Sequence, residues 1–211
     1  RRHTRLRTVT GVQTCALPIL TAILAYFSTN KNAVMHSLIE GGRVSLKVLE
    51  RVLLDDATLA SDKPKLIEII GRIHHFETSS VLIRIQNTLP QYSNEIIEAL
   101  YSNNFVADVS LKPLIETQIN SYLKKATNIL MMAQFLNKEA SHYNLLANAL
   151  NEEFKTIRTT LLKLFSFIYE RNQMVKALAG FETGKKEAIS NALEVVEIAI
   201  PKSFAESFVN L

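Results

Sequence analysis

Two clusters of histidine and glutamate are the strongest candidates for metal chemistry in this sequence. One contains His74, His75 and Glu77, and the other contains Glu139 and His142. Neighbouring residues on a helix point about 100° apart, so a polar helix end explains the two adjacent histidines better than a shared ion does. The Glu-x-x-His spacing at 139–142 occurs in di-iron bundles, but those sites need a second copy and two further glutamates. We therefore predict no metal site and no cofactor.

The remaining charged or glycine pairs do not form an active-site motif either. Glu152 and Glu153 are adjacent and fall on different faces of a helix, whereas acid–base catalysis needs convergent carboxylates. The lysine pairs 124–125 and 185–186 are isolated. Gly41-Gly42 lacks the strand–loop–helix frame of a phosphate loop. The sequence predicts no catalytic or cofactor-binding residue, and a protein that is not an enzyme.

The composition points to helices. The chain has 211 residues, of which 47% are hydrophobic and 21% charged, with only 6 Gly and 5 Pro. So few turn residues are typical of helical proteins and unlike a turn-rich β-fold. No apolar run reaches the ~18 residues needed to cross a bilayer, so we expect no direct membrane insertion of this fragment.

The net charge of +4 comes from the first nineteen residues, which hold four arginines and no acid. Without them, 20 basic and 20 acidic groups remain, which disfavours nucleic-acid binding. An arginine-rich start before an apolar run is compatible with a signal peptide, and the lack of acids with a transit peptide. The strings Arg1–Arg7 and Val9–Ile19, which include the only cysteine, Cys15, resemble translated sequencing-adapter read-through. That resemblance implies a non-native segment 1–19 on a metagenomic fragment that begins near Leu20.

Helical periodicity continues through the rest of the chain. In the first half, apolar residues recur every three to four positions between short breaks. The predicted helices there cover Asn32–Glu40, Arg43–Leu54, a segment from Lys63, a segment from Thr78 to about Leu89, and a segment from Ser93 to Tyr101. Three short helices are predicted to close the chain: Gln173–Ala179, Lys185–Ile198 and Ser203–Leu211.

Two longer helices are predicted between these halves. The first starts at Pro113 and runs to about Asn137, and the second runs from Ser141 to about Glu170. Their short connection predicts a long antiparallel hairpin, with Phe154, Leu161 and Phe165 in the contact between them. The segment 161–169 is apolar nearly all round and should be enclosed on more than one side. Met131-Met132 is predicted to fill core space.

Short helix pairs in series predict an all-α solenoid of HEAT-like pairs, which bury their apolar faces by stacking on neighbours. The predicted organisation is a segment 20–109 of short-helix repeats and a segment 110–211 with the hairpin and a C-terminal repeat, in one continuous solenoid. The tripeptide Phe-Glu-Thr occurs at 76–78 and again at 181–183. Ala188 and Ala192 are small enough to allow close helix approach.

The last 70 residues carry a more specific pattern. A long helix contains Leu150–Glu153 and Leu164-Phe165, a short helix and a glycine-bearing turn follow, and then comes Asn191–Glu194. This resembles the HEAT-like helical repeat region that follows the membrane domain in bacterial major-facilitator-type (MFS) proteins related to ATP/ADP translocases, which links the chain to nucleotide transport. The resemblance implies a soluble region on the cytoplasmic side of the bacterial inner membrane.

The function expected from these observations is that of a non-catalytic scaffold. Its partners would be the rest of its own polypeptide, with a membrane domain upstream and, as in some members of that family, a further domain downstream, or another protein. The alternative is a free-standing soluble helical-bundle enzyme or sensor with its site between the two long helices. That alternative predicts buried polar groups converging on 113–170, where the periodic residues are apolar.

Overall fold

The structure is a computed structural model that describes residues 31–138 and 144–211. Within these ranges all regular structure is helical and no strand occurs, which confirms the all-α prediction. The segment 1–19 with Cys15, and the Glu139/His142 pair, lie outside the described residues.

The chain divides into two compact units, and the second begins at Phe105. The described helices of the first unit are α1 (Lys31–Glu40), α2 (Gly42–Leu54), α3 (Lys63–Arg72), α4 (Thr78–Thr88) and α5 (Ser93–Ser102), with a 3-10 turn at Pro90–Tyr92. Those of the second are α6 (Lys112–Lys138), α7 (Asn144–Ile168), α8 (Arg171–Glu182), α9 (Lys186–Ala199) and α10 (Lys202–Val209).

The second unit includes the segment that precedes α6. Phe105 packs edge-on against Phe167, with ring centroids 5.3 Å apart. The N–H of Ala107 donates a hydrogen bond of 2.8 Å to the carbonyl of Phe167. These contacts attach the segment before α6 to α7, so it belongs to the second unit.

In the first unit, two ion pairs connect α2 with α4, and in both pairs the two residues are the same number of positions apart in the sequence. The Arg43 guanidinium donates to both carboxylate oxygens of Glu77, which lies 34 residues along the chain. The Arg84 guanidinium donates to Glu50, again 34 residues away, at 2.8–3.0 Å. Because both contacts have the same offset, α2 and α4 run in the same direction.

Helices α3 and α5 also run in the same direction. The Tyr92 hydroxyl donates to the carbonyl of Ala60 before α3, and the Asn103 amide after α5 donates to the carbonyl of Ile73 after α3. Near the end of α3, a Cβ placed on Gly71 would lie 2.6 Å from the Cα of Ala99. Only glycine allows these two backbones to approach so closely.

The core of the first unit is made of branched aliphatic side chains from all five helices. Leu46, Leu49 and Leu53 of α2 have no exposed surface. The fully buried residues of α3 and α4 include Leu66, Ile67, Ile69, Ile70, Leu82 and Ile85. The Ile69-Ile70 pair, which resembles a strand by residue type, is helical because its neighbours repeat at helical spacing.

In the second unit, α6 and α7 pack along each other, and the Lys125 ammonium pairs with the Glu153 carboxylate across them. The segment 161–169, at the end of α7 and just beyond it, is enclosed as expected: Leu161, Leu162, Leu164, Phe165 and Phe167 are fully buried. Burial on every side requires cover from more than α6, and α8 supplies part of it.

Two of the residues predicted for the α6–α7 contact face elsewhere. The ring of Phe165 lies 5.7 Å from Phe208 and 6.1 Å from Phe204, both in α10. The ring of Phe154 is half-buried and lies beside Arg158, on a side of α7 that faces α8 and α9. A helix enclosed by several neighbours has no single apolar face, so periodicity alone could not assign these rings to one partner.

The packing of α8 against α9 depends on small residues. A Cβ on Gly180 would lie 2.9 Å from the Ala188 carbonyl oxygen and from the Ala192 Cβ. The expectation that Ala188 and Ala192 allow close approach agrees with this geometry. The Phe-Glu-Thr echo does not mark equivalent positions, since Phe76 is 82% exposed before α4 whereas Phe181 is buried near the end of α8.

Candidate interaction groove

The cluster of His74, His75 and Glu77 lies in the connection between α3 and α4. Helix α3 ends at Arg72, so His74 and His75 lie in the loop that follows and not on a helix end. The N–H of Glu77 donates to Nδ1 of His75 at 3.2 Å. The Glu77 carboxylate is held by Arg43 at 2.9 Å.

These contacts fix the path of the chain from α3 to α4. Across residues 31–138 and 144–211, no three His, Cys, Asp or Glu side chains gather closely enough to hold a metal ion.

The adjacent residues Glu152 and Glu153 of α7 form ion pairs with different lysines. Glu153 pairs with Lys125 of α6, whereas Glu152 pairs with Lys155 one turn along α7, at 2.6 Å. The two carboxylates therefore do not converge on a common point. Among the described helices, none combines the length and the apolar character that crossing a bilayer requires.

Met131 and Met132 are not core residues, contrary to the prediction. They are 60% and 57% exposed, and Phe135 on the next turn is 65% exposed. On α7, Leu145 and Leu146 are also exposed. The groove that α7 forms with α8 and α9 begins further along, at Asn148.

A groove of about 660 Å³ lies along α7 in the second unit. We call it the α7–α8 groove. Its long wall is α7, from Asn148 to Thr159, and its opposite wall is formed by the end of α8 and the start of α9. The apolar residues lining it are Phe154, Leu178, Phe181 and Ile189, and the polar ones include Asn148, Asn151, Arg158 and Thr159.

Arg158 is the distinctive residue of the α7–α8 groove. Its guanidinium carbon lies 4.3 Å from the centroid of the Phe181 ring and 5.8 Å from that of Phe154. The side chain is half-buried, and this burial lowers the pKa of Arg158 below its ordinary value. Since that ordinary value is far above neutrality, the group stays charged.

The guanidinium of Arg158 has no hydrogen bond or ion pair with any residue in the described ranges. Two carboxylates line the same groove, but Glu152 is engaged by Lys155, and Glu182 is exposed and makes no ion pair among the described residues. An arginine offers five donors in a planar fork. Stacking on an aromatic ring occupies its face and leaves the donor edges available.

Neither a protein-family model, nor a curated protein, nor a solved structure matches this chain. The groove must therefore be interpreted from its own geometry. Sequence reasoning did not identify it, although Phe154 and Arg158 have the i,i+4 spacing that brings side chains together on one helix. The ring that holds Arg158 most closely, Phe181, comes from another helix, and no local pattern connects residues 158 and 181.

Proposed function

We propose that this chain is a non-catalytic helical-repeat scaffold, the interaction or regulatory part of a larger membrane transporter of the MFS, ATP/ADP-translocase-like type. The link with a transporter rests on the resemblance of the C-terminal 70 residues. The scaffold role rests on one structural observation above all: in the first unit, successive helix pairs repeat in parallel.

The pairs α2/α3 and α4/α5 carry that argument. Equivalent ion pairs at a spacing of 34 residues relate α2 to α4. Hydrogen bonds from Tyr92 to Ala60 and from Asn103 to Ile73 show that α3 and α5 run in parallel. Parallel displacement of consecutive helix pairs is the geometry from which α-solenoids are built. Such stacks offer extended surfaces for docking, and this supports HEAT-like repeats as the finer description of the fold.

The buried hydroxyls of α7 support a scaffold rather than an enzyme or sensor in the hairpin. Thr160 and Ser166 are the buried polar residues of α7. Their hydroxyls donate to the carbonyls of Thr156 and Lys163 on the same helix. They are thus engaged by their own backbone, whereas a catalytic site needs polar groups that converge on a substrate.

The decisive experiment is recovery of the genomic locus across codon 20. The proposal predicts an open reading frame in which about a dozen hydrophobic spans precede the helical region in frame. A second test expresses those spans and the helical region as separate chains and measures their co-purification in detergent. An uninterrupted gene that encodes no hydrophobic span would contradict the proposal, as would two chains that never associate.

A further inference from the structure

The α7–α8 groove presents one cation whose charge is not neutralised by a described neighbour. Burial removes water from a guanidinium at a cost, and buried or half-buried arginines in proteins are therefore usually paired. Stacking on Phe181 at 4.3 Å compensates part of this cost. It does not satisfy the N–H groups of the guanidinium, which have no acceptor among the described residues.

The shape of the groove fits an extended chain. From Asn148 to Thr159, α7 rises about 16 Å at 1.5 Å per residue, which matches about five residues of extended peptide at 3.3 Å each. The amides of Asn148 and Asn151 line one end, and each can donate to and accept from a peptide backbone. Arg158 lies near the other end.

The opposite wall supplies apolar contact. Leu178 and Phe181 of α8 line the groove while remaining 8% and 9% exposed, so they form its floor. Ile189 of α9 and Phe154 of α7 are half-buried at its sides. A floor of this kind accepts an apolar side chain next to a charged one.

We propose that the α7–α8 groove binds an acidic peptide segment of a partner protein, in which an Asp or Glu carboxylate pairs with Arg158 and a neighbouring apolar side chain packs on Phe181. The inference deepens the proposed scaffold function and rests on it. The planar fork of arginine matches a carboxylate in a bidentate manner. Glu182, at the rim, opposes the incoming anion and therefore limits the affinity.

The test uses the full 211-residue chain, immobilised, and a phage-displayed library of random 12-residue peptides. Selected sequences are synthesised with a fluorescein label and titrated by fluorescence anisotropy. We expect enrichment of peptides in which an Asp or Glu neighbours an apolar residue. Arg158→Gln should weaken their binding about 10- to 100-fold, the loss that follows removal of one partner of a charge-assisted hydrogen bond.

A double-mutant cycle tests whether the peptide carboxylate contacts Arg158. Replacing the peptide carboxylate with its amide should weaken binding as Arg158→Gln does, and the two changes together should cost little more than either alone. Glu182→Gln is the matched control in the same groove and should leave binding equal or tighter. Arg158→Lys should give an intermediate loss, because lysine retains the charge without the fork. Circular dichroism melting confirms that each variant is folded.

Four outcomes would overturn the inference: no enrichment, enrichment of peptides without an acid, binding insensitive to Arg158→Gln, or additive effects in the cycle. Displacement of the peptide by an equal concentration of inorganic phosphate would replace the peptide with a small anion as the ligand. Self-association that Arg158→Gln abolishes would identify a second copy of the chain as the occupant. None of these outcomes bears on the scaffold proposal, which is tested separately by sequencing the genomic locus.

Discussion

The two units of this protein use arginine in different ways. In the first unit, Arg43 and Arg84 each join α2 to α4 through a glutamate at 2.8–3.1 Å. In the second unit, Arg158 lies on the ring of Phe181 and has no ion pair among the described residues. Charged pairs of the first unit therefore connect helices, whereas the Arg158 charge of the second unit lies against an aromatic ring.

The units also differ in what fills their cores. The first unit packs leucine and isoleucine, with no aromatic ring among its fully buried side chains in the described range. The second unit gathers the rings of Phe165, Phe181 and Phe208 around the end of α7. The α7–α8 groove lies beside this aromatic cluster, since Phe181 belongs to both.

The largest expected effect comes from truncation of the aromatic cluster. Phe165→Ala removes a fully buried ring, which typically costs about 3–5 kcal/mol of unfolding free energy. Phe154→Ala removes a half-buried ring at the groove and should cost much less. Urea denaturation followed by circular dichroism measures both variants. Equal losses would show that Phe154 belongs to the core after all.

The close helix approaches of the two units give the next comparison. A Cβ at Gly71 would meet the Ala99 backbone at 2.6 Å, and one at Gly180 would meet Ala188 and Ala192 at 2.9 Å. Overpacking of this kind costs about 1–3 kcal/mol, more than alanine gains as a helix former. We expect Gly71→Ala to lower the melting temperature of the protein more than Gly180→Ala does, as measured in thermal melts of both variants.

A second substitution sharpens the glycine comparison. Ala192→Gly removes one of the two atoms that the new Cβ at position 180 would meet. The Gly180→Ala/Ala192→Gly protein should therefore melt above the value expected from adding the two single effects. Strict additivity would mean that α8 and α9 move apart instead of clashing.

Substitution of the two kinds of arginine by methionine should give smaller effects of different sign. Arg84→Met breaks an exposed ion pair with Glu50 and should cost at most about 1 kcal/mol, less at high salt. Arg158→Met replaces a half-buried, unpaired charge with an apolar chain, and should leave the melting temperature unchanged or raise it. Melting at low and high ionic strength measures both, and a large loss for Arg158→Met would indicate a structural role.

The smallest expected effect is a pH-dependent one at the start of α6. The Asp108 carboxylate accepts hydrogen bonds from Ser110 and from the N–H of Leu111, and these lower the pKa of Asp108. A lowered pKa in the folded state means that the unfolded state binds protons first, so the stabilisation is present above about pH 4 and is lost as pH falls through the folded value. Asp108→Ala should lower the melting temperature at pH 7, and this difference should shrink below pH 4.

Much of the secondary structure could be predicted because it depends on local spacing. Pro64 and Pro113 start helices as predicted, and the observed bounds of α2, Gly42–Leu54, differ from the prediction by one residue. Enclosure of 161–169 followed from an apolar surface with no polar face. The candidate site could not be predicted in this way, because the i,i+4 pair Phe154 and Arg158 becomes distinctive only beside Phe181.

The sequence by itself determined that the described part of this chain is helical, and where its described helices begin and end within a few residues. Those properties follow from neighbours within one or two turns, where backbone geometry fixes the spacing. The tertiary structure alone decided which apolar residue meets which helix, so Phe165 packs on α10 and Met131 remains exposed. It also decided that Arg43 and Arg84 form ion pairs with glutamates, whereas Arg158 lies against an aromatic ring. Charge pairing across helices depends on how neighbouring helices are aligned, and the order of residues along the chain does not reveal that alignment.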